Sequence, residues 1–132
     1  MADMPRFDRK MSDAEGLMWR LEKDPHLSSA FAAVTILDKP PDFDRLLRRM
    51  DRAVRVVERL GQRVQPVPVN LSAPMWVDDP NFDLRYHVRH IALPKPGTIR
   101  QLLDLASLIA CDSFDRTRPL WQFVVVDGIR GG

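Results

Sequence analysis

The stretch Asp115–Val126, which reads DRTRPLWQFVVV, constrains the fold of this chain more than any other feature. Pro119 fixes its own φ angle and biases Arg118 towards an extended backbone. From Trp121 to Val126 the residues are almost all β-branched or aromatic, which is typical of a strand buried on both faces. Such a strand needs neighbouring strands and a cover on each side. Because only Asp127–Gly132 follows it, we expect the chain to stop inside a larger fold.

Length and composition exclude several classes of protein. The chain has 132 residues, of which 45% are hydrophobic and 29% are charged, and this composition predicts a globular domain rather than a disordered one. No apolar run is long enough to span a membrane, and the charged start lacks the apolar core of a signal peptide. The single cysteine, Cys111, fits a reducing cytoplasm, and we expect it to be a small buried hydrophobe rather than a nucleophile. A net charge of +2 gives no argument for nucleic-acid binding.

Two capping boxes mark helix starts. Ser12-Asp-Ala-Glu15 predicts a helix that ends before Pro25, and residues 1–11 before it read as a flexible lead-in to a domain over residues 12–132. Thr98-Ile-Arg-Gln101 predicts a second helix that runs to about Asp112. This helix is so apolar that we expect it to be covered on more than one side.

The segment Phe43–Leu60 has the clearest helical periodicity, with Asp42 as N-cap and Gly61 as the C′ residue. One face is predicted to be apolar, and it carries Phe43, Leu46, Leu47, Met50, Ala53, Val54, Val57 and Leu60. The opposite face carries Arg45, Arg48, Arg49, Arg52, Arg55 and Arg59. An ordinary solvated face explains this stripe, and attachment to anionic lipid, with Arg48, Arg52 and Arg55 as the candidates, is the functional alternative. Nucleic acid is disfavoured because no aromatic residues alternate with the arginines.

Three further segments are predicted to be extended. Ser29–Leu37 and Tyr86–Leu93 read as strands, and Gln62–Pro74, which is rich in proline, reads as an edge segment. Alternation of strands and helices predicts an α/β fold on a mixed sheet. His87 and His90 would point to opposite faces of one strand and cannot share a metal ion, so we interpret both as structural and predict no metal.

Several short motifs of the sequence resemble those of one protein family. Asp-Arg-x-Arg-Pro-Leu-Trp at 115–121 resembles the Pro-Leu-Trp motif of the bacterial wax ester synthase/diacylglycerol acyltransferases. Trp76, Phe82-Asp-Leu84 and His87-Val-Arg89 match the same family in order and spacing. Ser12-Asp-Ala-Glu15 departs from its Ser-Pro-x-Asp motif but keeps the capping chemistry. The resemblance covers about Ser12 to the last residue.

This resemblance implies a fold and an activity. The family is similar in fold to chloramphenicol acetyltransferase, with two related halves around a central tunnel, and this chain would form an N-terminal part. Its members esterify diacylglycerol or a long-chain alcohol with fatty acyl-CoA, which is a substrate rather than a cofactor. The general base is the second histidine of a His-His-x-x-x-Asp-Gly motif, and that motif is absent from these 132 residues. The implied location is the cytoplasm, with peripheral attachment to the inner membrane or to lipid droplets.

The motif can be carried over only in part. Pro119, Leu120 and Trp121 are expected to line the substrate tunnel, and Asp115 and Arg118 to support the motif. No catalytic role is carried to any histidine, so the isolated chain is expected to be inactive. The alternative is a non-catalytic lipid- or membrane-binding module that exists on its own. Reading the nucleotides beyond the codon for Gly132 distinguishes the two, because only the enzyme needs the histidine motif there.

Overall fold

A computed structural model describes residues 8–131 of the chain. These residues form four α-helices, four strands and three short 3-10 turns. The helices are α1 (Asp13–Leu21), α2 (Phe43–Val56), α3 (Leu84–His87) and α4 (Ile99–Cys111). The strands are β1 (Gln62–Gln65), β2 (Met75–Asp78), β3 (Val88–Ala92) and β4 (Phe123–Asp127).

The strands pair in two separate sheets of two strands each. β1 and β2 are antiparallel, with Val64 opposite Trp76, whereas β3 and β4 are parallel, with His90 opposite Val125. Both pairing senses therefore occur, as a mixed sheet requires, but within residues 8–131 they lie in different sheets. The α/β class predicted from the sequence is confirmed.

The chain divides into two compact units. Unit 1 contains the described residues up to Ser29, together with Ala53–Phe82 and Phe114–Leu120. Unit 2 contains Ala30–Arg52, Asp83–Ser113 and the described residues from Trp121 onwards. Unit 1 therefore holds α1 and the antiparallel sheet, and unit 2 holds α3, α4 and the parallel sheet.

The first helix of unit 1 begins as its sequence predicts. The Ser12 hydroxyl accepts a hydrogen bond from the backbone N–H of Glu15 at 3.2 Å, and the Glu15 carboxylate accepts one from the N–H of Ser12 at 2.8 Å. The helix ends at Leu21, before Pro25, which starts a 3-10 turn. The capping box thus satisfies two N–H groups that the first turn leaves without helical partners.

The core of unit 1 surrounds Trp19. Met11, Trp19 and Val64 form a buried cluster, against which Ala73, Trp76 and Leu120 pack. Met11 is only 4% exposed, so a residue that the sequence assigned to the flexible lead-in is instead a core residue. Its backbone N–H donates to the carbonyl of Pro74 at 3.0 Å, which explains why it is held there. Residues 1–7 of the predicted lead-in lie outside the described part of the chain.

The arginine-rich helix α2 is shorter than predicted. Asp42 caps it as expected, because its carboxylate accepts from the N–H of Arg45 at 2.9 Å. The helix ends at Val56, however, and Glu58–Gly61 forms a 3-10 turn. Gly61 does not adopt the left-handed backbone of a C′ glycine, so that prediction is wrong. The predicted apolar face is confirmed as far as Val54, since Leu47 is buried and its apolar neighbours are half-buried.

Unit 2 contains α4 and the parallel sheet. The predicted capping box of α4 is confirmed, because the Thr98 hydroxyl and the Gln101 side chain each accept from the other's backbone N–H. The expected cover on more than one side is not found. Leu102 is buried, but Leu108 is 72% exposed. Cys111 is exposed as well, because it lies on an open flank at the end of this helix, and its predicted burial is wrong.

Three strand predictions need correction. Ser29–Leu37 is exposed and belongs to no helix or strand. β4 has one neighbouring strand rather than two, and Phe123 on it is 43% exposed, so burial on both faces is not found. The predicted strand Tyr86–Leu93 begins with a helical turn, because the Asp83 carboxylate caps the N–H of Arg85 at 2.9 Å. In Gln62–Pro74, β1 is an edge strand as predicted, but Pro68–Asn70 forms a 3-10 turn rather than extended chain.

Candidate functional site

The site follows the motif Asp115–Trp121, which opens with a side-chain-capped turn. One Asp115 carboxylate oxygen accepts from the N–H of Thr117 at 2.9 Å and from its hydroxyl at 2.6 Å. The other lies 3.4 Å from Nε of Arg118. The hydrogen bonds from Thr117 and the charge of Arg118 hold the pKa of Asp115 below its usual value. The two residues that were expected to support the motif, Asp115 and Arg118, therefore stabilise one turn.

Arg116 joins this turn to α1. Its guanidinium carbon lies 3.4 Å from the centroid of the Trp19 ring, and one of its N–H groups donates to the Trp19 carbonyl at 2.8 Å. Burial lowers the pKa of Arg116, and the charge of Glu22 acts in the opposite direction. The contact combines a cation–π interaction with a charge-assisted hydrogen bond. Arg116 thus holds the motif against the core of unit 1.

Pro119 and Leu120 complete the part of the motif that belongs to unit 1. Pro119 is buried, and Leu120 packs against the cluster of Met11, Trp19 and Val64. The boundary between the units falls between Leu120 and Trp121. Contact of these residues with a substrate remains a prediction, because their neighbours in unit 1 account for their burial.

Trp121 belongs to unit 2, where it contacts His87. The two rings are stacked, with centroids 4.7 Å apart and an interplanar angle of 21°. Nδ1 of His87 also hydrogen-bonds the Trp121 carbonyl at 2.8 Å. His87 is 1% exposed, which agrees with its interpretation as a structural histidine. The Trp121 side chain is half-buried, and the stack fixes the orientation of its indole ring.

His90 makes a separate set of contacts in the same unit. Its Nε2 lies 2.6 Å from a carboxylate oxygen of Asp127, and its ring stacks on Phe43 with a centroid distance of 4.5 Å. His90 is thus structural as well, since it joins β3, β4 and the start of α2. Within residues 8–131 no three His, Cys, Asp or Glu side chains lie close enough together to hold a metal ion.

The chain leaving β4 is held closely by the turn that precedes α4. The N–H of Leu93 donates to the Asp127 carbonyl at 2.8 Å, and the N–H of Arg130 donates to the Gly97 carbonyl at 2.8 Å. A Cβ atom on Gly97 would lie 1.8 Å from the carbonyl oxygen of Gly128, and Gly97 has a φ angle of +72°. Glycine is therefore required at this position both for its backbone conformation and for space.

The arginine stripe is largely as predicted. Arg45, Arg48, Arg49, Arg52 and Arg55 are exposed on α2. Arg59 departs from the stripe because the helix ends before it. Its guanidinium lies 4.2 Å from the centroid of the Trp76 ring, and it donates to the Asp8 carbonyl at 3.1 Å. The stripe of α2 therefore contains five arginines, among them the three membrane candidates.

The comparisons with known proteins agree with the motif. The family model of the wax ester synthase/diacylglycerol acyltransferase catalytic domain matches residues 11–132. The chain belongs to this family of acyltransferases. A wax ester synthase/diacylglycerol acyltransferase from Marinobacter aquaeolei VT8 is similar in structure, with a TM-score of 0.55 and 33% identity over 70% of this chain and 22% of that chain. The predicted family is confirmed.

Relatives in Mycobacterium tuberculosis H37Rv are similar over most of this chain. One, provisionally named a diacylglycerol O-acyltransferase, is 38% identical over 130 residues, which are 98% of this chain and 26% of the relative. A second, the probable diacylglycerol O-acyltransferase tgs1, is 40% identical over 115 residues, which are 86% of this chain and 25% of the relative. The chain thus spans about a quarter of the length of these relatives.

Sequence reasoning identified the motif but not the partners of its residues. Trp19 lies 97 positions from Arg116, and His87 lies 34 positions from Trp121. Neither pairing leaves a local signal, because stacking needs only an aromatic face and a partner at any separation. The occurrence of three tryptophans in so short a chain was the one available hint. The structure brings two of them under guanidinium groups and the third onto an imidazole.

Proposed function

We propose that this chain is part of an enzyme that transfers a fatty acyl group from acyl-CoA to the hydroxyl of diacylglycerol or of a long-chain alcohol. The observation that carries the proposal is the family match over residues 11–132, which includes the motif Asp115–Trp121. The names of the relatives support it, since they describe diacylglycerol O-acyltransferases and a wax ester synthase. Acyl-CoA enters as a substrate, and no cofactor is needed.

The reaction needs a general base, which we place outside these 132 residues. The base removes the hydroxyl proton while the oxygen attacks the thioester carbonyl, and coenzyme A leaves as the thiol. His87 is buried against Trp121, and His90 is bound to Asp127. Each imidazole thus has one ring nitrogen bound within the fold, and neither histidine stands in the family's His-His-x-x-x-Asp-Gly motif. No His-His-x-x-x-Asp-Gly motif occurs in the sequence to supply another.

Within this enzyme we assign Trp121 to the wall of the acyl tunnel, and the two residues before it in the chain, Pro119 and Leu120, to the same lining. The support is the contrast in burial, because Pro119 is buried whereas Trp121 is half-buried. An indole ring fixed on one face by His87 offers a rigid apolar surface to an acyl chain. Fixing the ring in advance lowers the entropy lost when substrate binds.

We further propose that Arg48, Arg52 and Arg55 attach the protein to an anionic membrane or lipid-droplet surface on the cytoplasmic side. None of the helices within residues 8–131 has the length and apolar character needed to cross a bilayer. Each basic residue near an anionic surface contributes about 1 kcal/mol, and this contribution is screened by salt. Asp44, Asp51 and Glu58 on the flank of the stripe offset part of the attraction.

Vesicle co-sedimentation tests the attachment. The wild-type chain and the triple variant Arg48→Gln, Arg52→Gln, Arg55→Gln are compared on phosphatidylserine-containing and on neutral vesicles. We expect the wild type alone to sediment with anionic vesicles, and to be released at high salt. Replacement of Arg100 by Gln is a matched control, because Arg100 is exposed on α4 and pairs with Asp104 at 2.9 Å. Equal binding by the wild type and the triple variant would contradict the attachment and would show that the stripe is an ordinary solvated face.

A chimaeric enzyme tests the acyltransferase function. Residues 11–132 replace the matched region of the M. tuberculosis relative that is 38% identical. Release of free thiol from palmitoyl-CoA is measured with diolein or hexadecanol as acceptor. We expect turnover by the chimaera and none by the isolated chain. A folded chimaera without turnover, beside an active parent enzyme, contradicts the proposal. Turnover by the isolated chain that is lost on changing His87 or His90 contradicts the placement of the base.

A further inference from the structure

Phe31–Leu37 is the most exposed apolar segment of unit 2. Its sequence is FAAVTIL, and it contains no charged residue. Phe31 is 89% exposed, Val34 45%, Ile36 53% and Leu37 49%. Contact of so many adjacent apolar side chains with water is unfavourable. The segment therefore has a strong tendency to bind an apolar partner.

The backbone of this segment has no hydrogen-bond partner within the described chain. Among residues 8–131, no hydrogen bond is made by any residue from Phe31 to Leu37, and the segment belongs to no helix or strand. Its β-branched residues Val34, Thr35 and Ile36 favour a strand. A strand supplies the partners that backbone N–H and C=O groups require when they leave water. Its side chains and its backbone both therefore favour addition to a sheet.

The order of side chains indicates where in a sheet such a strand lies. In a strand, Phe31, Ala33, Thr35 and Leu37 share one face, and Ala32, Val34 and Ile36 share the other. Both faces are then predominantly apolar. A strand of this kind lies in the interior of a sheet that is covered on both sides. An edge strand, or one lying on a lipid surface, would carry polar or basic residues on one face.

We infer that Phe31–Leu37 is a sheet strand of the catalytic domain that pairs with polypeptide outside these 132 residues. The inference rests on the proposed function. The family match covers residues 11–132, so the segment belongs to the catalytic domain itself. The relatives have about three-quarters of their length outside the matched region, which provides the partner strands and the covering layers. The occupant is thus the remaining part of the same enzyme.

Hydrogen exchange measured by mass spectrometry tests this pairing. Amide exchange at Ala32–Leu37 is compared between the isolated chain and the chimaera that contains residues 11–132. We expect exchange in the isolated chain to be close to that of an unstructured peptide. In the chimaera we expect it to be slower by roughly 100-fold or more, as for amides in a buried strand. Equal exchange in a folded chimaera overturns the inference.

Two variants at one position sharpen the test. Val34→Pro removes an N–H that has no hydrogen bond in the described chain, so we expect the circular dichroism and Tm of the isolated chain to be unchanged. In the chimaera the same change should abolish the protection of this segment and most of the turnover. Val34→Thr retains the N–H and the β-branched shape, and it should retain both. A Val34→Pro chimaera with full protection also overturns the inference.

The outcomes separate this inference from the proposed function. A chimaera that protects Ala32–Leu37 but has no turnover supports the strand and contradicts the function. An active chimaera without protection of this segment supports the function and contradicts the strand. If the chimaera fails to fold, two measurements on the isolated chain still test the inference. Protection that rises with protein concentration assigns the segment to a second copy, and protection that needs phosphatidylserine vesicles assigns it to a membrane. Either result overturns the inference, and fast exchange under both conditions supports it.

Discussion

Trp19 in unit 1 and Trp121 in unit 2 are held in opposite ways. Trp19 is 9% exposed, with the Arg116 guanidinium over its ring and a buried apolar cluster around it. Trp121 is half-buried and stacks on the ring of His87. Trp19 is therefore a core residue with a charged cover. Trp121 is an oriented ring whose burial is incomplete.

The contrast separates two tasks within one motif. Arg116 binds its half of the motif to a finished core, so changes there should act on stability. Trp121 begins the other half, in a unit that also contains the exposed segment Phe31–Leu37. Incomplete burial is costly for the isolated chain, but it leaves apolar surface that an acyl chain or further polypeptide can cover. We therefore expect the motif to connect an element that acts on stability to the surface that we propose for substrate.

Replacement of Trp19 by Ala should have the largest effect on stability. Removal of a buried Trp side chain costs about 3–5 kcal/mol, because a cavity is left and Arg116 loses its ring. We expect unfolding in urea at a lower midpoint, with amide exchange increased in β1 and β2 first. Trp121→Ala is the matched comparison, and its smaller buried area should give a smaller shift. A larger loss for Trp121→Ala would reverse the roles assigned to the two rings.

Replacement of His87 by Ala should come next, with an effect centred on unit 2. The variant loses the stack and leaves the Trp121 carbonyl without this donor, which together cost about 2–4 kcal/mol. His87→Phe keeps an aromatic ring and should recover part of this loss. Exchange at β3 and β4 amides measures the effect where it arises. If β1 and β2 respond more strongly, His87 does not act through Trp121.

Replacement of Arg116 by Leu should cost about 1–2 kcal/mol, because it removes a cation–π contact and a charged hydrogen bond to the Trp19 carbonyl. Arg116→Lys should recover little, since an ammonium cannot stack flat on the indole ring. Arg100→Leu is the control, because the exposed Arg100–Asp104 pair should contribute less than about 0.5 kcal/mol. Equal unfolding free energies for Arg116→Leu and Arg100→Leu would contradict the stabilising role that we assign to Arg116.

Acid should lower the stability of α1 more than that of α4. We expect a difference of less than about 1 kcal/mol, because the capping box of α1 is exposed to solvent. The hydrogen bond from the Ser12 backbone lowers the pKa of Glu15. A carboxylate with a lowered folded pKa stabilises the fold above its unfolded value, and this stabilisation is lost as pH falls through the folded pKa. The same position in the cap of α4 is Gln101, which does not titrate. Glu15→Gln should therefore abolish the difference, and amide exchange at pH 3 and 6 in both helices measures it.

Local features could be predicted from the sequence, whereas distant ones could not. Both capping boxes follow from residues three positions apart, and their geometry is as expected. The contacts of Arg116 with Trp19 and of His87 with Trp121 depend on how the chain returns, which no short window contains. The burial predicted for β4 and for Ser29–Leu37 failed for a related reason. A short sequence segment shows that its apolar residues need to be buried. It does not show whether the rest of these 132 residues supplies the neighbouring elements that bury them.

The most direct test of the account compares Trp121→Phe with Trp19→Phe in the chimaeric enzyme. Thiol release from palmitoyl-CoA, divided by the folded fraction, gives turnover, and thermal unfolding gives Tm. Both swaps are near-conservative and should cost less than about 1.5 kcal/mol of stability. We expect Trp121→Phe to lower turnover by more than its stability loss explains, and Trp19→Phe to leave turnover per folded molecule unchanged. A fall in Tm with unchanged turnover for Trp121→Phe would make Trp121 a structural residue only.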